Sequence, residues 1–109
     1  MTNVWVAVGR IAAAPEIRYT PSGKAVAEVR LAVQRDWKND ETGERDADFF
    51  DVQCWESLAE TIGEWGAVGR LISVTCRLQV NNWTNSDGQR RSRVVAVCNH
   101  LSLLDKKPE

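Results

Sequence analysis

In the run from Leu71 to Trp83 the chain alternates: Ile72, Val74, Cys76, Leu78 and Val80 fall on one parity, and Ser73, Thr75, Arg77, Gln79 and Asn81 on the other. A two-residue period kept over that length excludes a helix, whose apolar positions recur every three or four residues, and demands a long strand with one face turned to a core. Trp83 ends the run on the polar parity. Asp87-Gly88 follows as a strong hairpin signal, and a second strand is expected from about Ser92 to His100, extended by Leu101, Leu103 and Leu104. A long antiparallel hairpin therefore dominates whatever this chain folds into.

The N-terminal half repeats the pattern in shorter runs. The first strand is expected from Val4 to Ile11, ending in Ala12 to Ala14 before Pro15. A turn follows at TPSGK, where Pro21 fixes φ and Gly23 permits φ > 0. In the second strand, from about Ala25 to Gln34, Val29, Leu31 and Val33 oppose Glu28, Arg30 and Gln34, with Trp37 just beyond. A long polar loop from Lys38 to Asp48 leads to the third strand, Phe49 to Trp55. One segment breaks the alternation: in SLAETIGEW, Leu58, Ile62 and Trp65 recur at helical spacing, Ser57 and Glu60 have the form of a capping box, and Gly66 is suited to end the helix. Three strands, a short helix and a hairpin make an all-β chain in the order of a five-stranded OB-fold barrel, with one short helix between the third and fourth strands. A chain of 109 residues accommodates one such domain, expected over residues 1–104 with a short polar end at 105–109.

In FFDVQCW, Phe49 and Trp55 share a parity with Asp51 and Gln53, whereas Phe50, Val52 and Cys54 take the other. Burying the second set leaves two large rings among groups that prefer water. Trp83 and Trp37 repeat the anomaly, one on a polar parity and one at a strand end. Either a neighbouring loop or subunit covers these rings, or they form a stacking platform for flat ligands, of which nucleic-acid bases are the commonest. Trp65, on the apolar face of the helix, reads as core rather than ligand, and Trp5 in the first strand is ambiguous.

The formal charge of −1 gives no global attraction for a polyanion, so affinity for nucleic acid has to come from local charge. Arg90, Arg91 and Arg93 follow one turn, and Arg10, Arg18, Arg30, Arg35 and Arg77 fall in or beside strands. Cys54, Cys76 and Cys98 are odd in number and lack the close pairing of zinc ligands, which reads as buried reduced thiols with no metal site. His100 is the only histidine, no carboxylates pair at a telling spacing, and no glycine loop cradles phosphate, so no catalytic residue is assigned and an enzyme is not expected. No apolar run is long enough to span a membrane, and a cytoplasmic, nucleoid-associated protein is expected.

Taken in order, these segments resemble the bacterial single-stranded DNA-binding proteins. The resemblance is carried by VGRI near the start, PEIRYTPSGKAVAEVRLAV through the second strand, Trp37 before a TGE-containing loop, WESLAE at the helix, and the spacing to NNWTNSDGQRR. It implies a non-enzymatic protein that coats single-stranded DNA with little sequence preference in replication, recombination and repair, without cofactors, as a homotetramer. The stacking positions carry over onto Trp37, Phe49, Trp55 and Trp83, and phosphate contacts are expected from Arg77, Arg90, Arg91 and Arg93. Three departures stand out: Gln79, Asn81 and Asn82 occupy positions where the family tends to be basic, Val68-Gly69 replaces a lysine-glycine pair, and Cys76 replaces a glycine. The chain ends at DKKPE, where the family continues into a linker and an acidic tip that recruits proteins, so no protein partner is assigned. A dimeric OB-fold accessory of replication or the primosome, and a protein-interaction module using its exposed Trp and Arg, are the alternatives.

Overall fold

The computed structural model describes residues 1–105. The strands are β1 (Trp5–Ile11), β2 (Glu16–Tyr19), β3 (Ala25–Lys38), β4 (Arg45–Trp55), β5 (Leu71–Thr84) and β6 (Arg90–Leu103), with helix α1 (Ser57–Trp65) between β4 and β5. Strand order runs β1-β5-β6-β4-β3-β2, and β1 also pairs with β3. Five strands thus close a barrel, and β2 is an edge strand whose one strand partner among the described residues is β3, through pairs from Glu16↔Glu28 to Tyr19↔Ala25. The expected OB-fold barrel, with its helix between the third and fourth barrel strands, is what forms. Among the described residues no helix is long and apolar enough to cross a membrane. Apart from Asp105, the expected polar end at 105–109 lies outside the described residues.

Alternation does its work inside the barrel. Ile11, Val29, Leu31, Val52, Cys54, Ile72, Val74 and Cys76 point inward and are buried, and α1 adds Ala59 and Ile62 to the same core. Two short seams close the wall. At one, β1 meets β3 through Arg10↔Ala32 and Ile11↔Leu31. Gly9 stands at that crossing because a Cβ there would collide with the Ala32 carbonyl oxygen. At the other, β4 and β6 run parallel through Val52↔Ala96 and Gln53↔Val97.

Four expectations need correction. Phe50, Leu78 and Val80 sit on the apolar parity yet are 38%, 40% and 57% exposed. β5 and β6 are 14 residues each and run on past the core, so Leu78 and Val80 of β5 and Val94 of β6 stay largely open to solvent. The long loop from Lys38 to Asp48 shrinks to residues 39–44, since β3 continues to Lys38, β4 starts at Arg45, and a short turn joins them. There Asn39 accepts from the Glu41 and Thr42 backbone N–H groups at 2.8 and 3.3 Å, and Gly43 takes φ 72°. The capping box is absent, because Ser57 is the first helical residue and Glu56 stands at the N-cap without a side-chain bond. Finally, β2 is a strand that sequence periodicity missed.

At the base of the hairpin, Arg70 is nearly buried and meets Asp105 twice, with Nε 3.0 Å from the carboxylate and Nη2 donating to the backbone oxygen at 3.0 Å. Leu71 N–H donates to the same carboxylate at 3.1 Å. The far end of β6 is thereby latched to the start of β5.

Candidate nucleic-acid interface

Trp37, Phe49 and Trp83 are 65%, 51% and 47% exposed, and Trp55 is half-buried. Their positions follow from register. Phe49, Asp51, Gln53 and Trp55 alternate along the outer face of β4, opposite Ala32, Arg30, Glu28 and Val26 of β3. Trp37 stands at the end of the β3–β4 hairpin and Trp83 near the end of the β5–β6 hairpin, so two arms flank the barrel wall.

Side-chain contacts tie the parts together. Trp55 Nε1 donates to Gln53 Oε1 at 2.9 Å, which fixes the edge of that ring. The Arg30 guanidinium lies 5.1 Å from the Phe49 ring centroid, and the Arg35 guanidinium lies 5.9 Å from that of Trp37, both within cation–π range. Arg35 is in turn forked onto Asp48, Nε to Oδ2 at 3.0 Å and Nη2 to Oδ1 at 2.9 Å. Those bonds hold the Asp48 carboxyl below its usual range and the Arg35 guanidinium above its own.

On β5, Arg77, Gln79, Asn81 and Trp83 share one face, and amide contacts chain the first three: Arg77 Nη1 to Gln79 Oε1 at 2.9 Å and Gln79 Nε2 to Asn81 Oδ1 at 2.8 Å. Across the ladder Arg93 lies beside Asn81 and Arg91 beside Trp83. Arg18, Glu28, Gln53, Asn81, Trp83 and Arg93 line one shallow depression, which joins the arm to the wall. Of the eight expected site residues, Arg90 alone departs from this grouping, because its partner Thr84 belongs to the opposite face of the hairpin.

Sequence reasoning did not select Arg18, Glu28, Arg30, Asp51 and Gln53 for the site. Parity places Asp51 and Gln53 beside Phe49 and Trp55, but the pairing of β2 with β3, and of β3 and β6 with β4, is set by register, which no local pattern encodes.

On the other face of the β5–β6 arm, Leu78, Val94 and Ala96 line a second, mostly apolar depression with Trp5 of β1 and Phe49, Phe50 and Asp51 of β4, and the Trp5 and Phe50 rings are tilted at 57° with centroids 5.0 Å apart. The three cysteines are free and buried, as expected. Their mutual hydrogen bonds and burial push the Cys54 and Cys76 thiols well up, whereas the bonds received from both hold Cys98 below them. Among the described residues no group of His, Cys, Asp and Glu is arranged to hold a metal ion.

A closed five-stranded barrel with an outward aromatic and arginine face defines an OB-fold binding protein. Sequence comparison narrows the class: the Single-strand binding protein family matches residues 2–104, and the chain belongs to that family. It is 40% identical over 107 residues to the single-stranded DNA-binding protein of Streptococcus mutans, covering 98% of this chain and 65% of that one. It is 41% identical to single-stranded DNA-binding protein 3 of Streptococcus agalactiae, covering 98% and 77%. With the Enterococcus faecalis single-stranded DNA-binding protein identity is 40%, covering 98% and 56%. The chain thus spans between about half and four-fifths of the length of these relatives.

Proposed function

We propose that this chain binds and coats single-stranded DNA with little sequence preference in replication, recombination and repair, stacking bases on Trp37, Phe49, Trp55 and Trp83. Guanidinium contacts to phosphate come from Arg77, Arg91 and Arg93, with Arg90 reaching a strand that passes round the hairpin. The observation that carries this reading is the exposure of Trp37, Phe49 and Trp83 at positions outside the core cluster. Rings without hydrogen-bonding selectivity suit any base, since every base has a π-face and each stack contributes about 1 to 3 kcal/mol. Membership of the family, and relatives named for single-stranded DNA binding, support the same ligand.

The assembly proposed is a homotetramer. The apolar face of the β5–β6 arm, with Leu78, Val80 and Val94 open to solvent in one chain beside Phe50 of β4, is suited to cover by further copies. Tryptophan fluorescence tests the ligand. Titration with oligo(dT) should quench strongly and titration with duplex DNA should not. Equal responses to both, or none to the single strand, would remove the proposal.

A further inference from the structure

The arginines of the DNA face divide into two kinds. Arg77 and Arg91 bond only to the amides Gln79 and Gln89, at 2.9 and 2.8 Å, so their charge is uncompensated among the described residues. Arg93 is different. Its Nη2 lies 3.3 Å from Glu28 of β3 and its Nη1 lies 3.5 Å from Asp51 of β4. Glu28 also takes Arg18 of β2 at 3.1 Å, and Asp51 also takes Arg30 of β3 at 3.5 Å. The result is one alternating chain, Arg18, Glu28, Arg93, Asp51, Arg30, that crosses the floor of the interface from β2 to β6 and ends on the guanidinium stacked over Phe49.

A carboxylate offers a guanidinium the same acceptor geometry as a phosphodiester. We propose, resting on the single-stranded DNA reading above, that Glu28 and Asp51 are affinity-limiting residues: they stand in for phosphate in the free protein, and a DNA phosphate reaches Arg18, Arg30 and Arg93 only by displacing them. These groups are between about one third and two thirds exposed, so the pairs are solvent-screened and exchangeable rather than locked. Two consequences follow for binding. A guanidinium that already holds a protein carboxylate has condensed no mobile anion and drawn no counterion change from the DNA beyond what the displaced carboxylate restores, so Arg18, Arg30 and Arg93, set against Glu28 and Asp51, bring a net charge of one rather than three into the salt dependence. The half formed by Arg77 and Arg91 supplies the rest.

The test is titration of the full chain with oligo(dT) at several salt concentrations, comparing wild type with Glu28→Gln, Asp51→Asn, the double variant and Glu64→Gln. Glu64 is exposed on α1 outside this chain of ion pairs, so its variant carries the same change in net charge without freeing an arginine. Glu28→Gln and Asp51→Asn should each bind about 2- to 5-fold more tightly at low salt. Each should steepen the slope of log K against log salt by about 0.7, and the double variant by about 1.4, with Glu64→Gln near wild type. The inference is overturned if both site variants track Glu64→Gln. It is equally overturned if they bind more weakly while keeping the wild-type circular dichroism, the outcome of a purely structural role. Failure of wild type to bind oligo(dT) would instead overturn the reading on which the inference rests.

Discussion

Replacing Trp37 and Trp83 together by alanine tests the proposed stacking contribution. Both rings are about half or more exposed and neither belongs to the buried cluster, so the folded state loses little. For Trp37 the visible loss is its contact with Arg35 at 5.9 Å, worth about 0.5 kcal/mol at an exposed site. Trp55 would be a worse probe, since it is half-buried and bonded to Gln53, and its removal mixes folding with binding. Because the two rings stand on separate hairpin arms and share no contact partner, their effects should add. At about 1 to 3 kcal/mol per stacked base the double variant should lose about 2 to 6 kcal/mol, or about 30-fold to 20,000-fold in Kd. Electrophoretic mobility shift with oligo(dT), read beside circular dichroism and a thermal melt, measures both sides. A double variant that melts like wild type and binds like wild type would refute the platform.

The remaining predictions probe assembly, charge and the barrel seam. Light scattering should give four times the 12.2 kDa chain mass at micromolar concentration, and Leu78→Glu with Val94→Glu should reduce that mass without loss of secondary structure. A dimer in the wild type would favour the accessory-protein alternative, and a stable monomer would contradict self-association. Asn81 shares the Trp83 face whereas Asn82, opposite Ser92, lies on the other. Asn81→Lys should therefore steepen the salt slope by about 0.7 and Asn82→Arg should leave it in place; the reverse would put the phosphate path on the wrong face. Gly9→Ala should lower stability by about 1 to 3 kcal/mol, read as a lower urea midpoint, since the added methyl meets backbone rather than a yielding side chain. An unchanged midpoint would show that the β1–β3 crossing tolerates a Cβ.

Parity was the legible part. It assigned Val52 and Cys54 to the core, Phe49 to the outside, and Trp83 to the same face as Gln79 and Asn81. What parity cannot report is whether an opposing layer exists, and that is why Phe50, Leu78 and Val80 took the expected side yet met solvent. β2 escaped notice because four residues held between Pro15 and Pro21, all exposed, carry too short a pattern to detect. The hairpin at Lys38 to Asp48 looked like loop because its residues are polar on both faces, as an arm outside the core permits. The carboxylates that hold Arg93 lie 42 and 65 positions away in the chain, a distance that only strand pairing closes.

The two seams that close the barrel have a consequence for how the protein opens. The β3–β4 and β5–β6 hairpins are zipped through ten and thirteen residue pairs, whereas each seam contains two. Local opening therefore separates whole hairpins before it frays either one, and amide protection should fall into two cooperative blocks with the boundary along β1–β3 and β4–β6. Gln53 lies at one seam and Arg10 at the other, so the weakest lines in the wall run beside the aromatic face on one flank and through the first strand on the other. A strand of DNA laid across Trp55 and Trp83 would bridge the β4–β6 line from outside, and binding would then stiffen the barrel where its own hydrogen bonds are fewest.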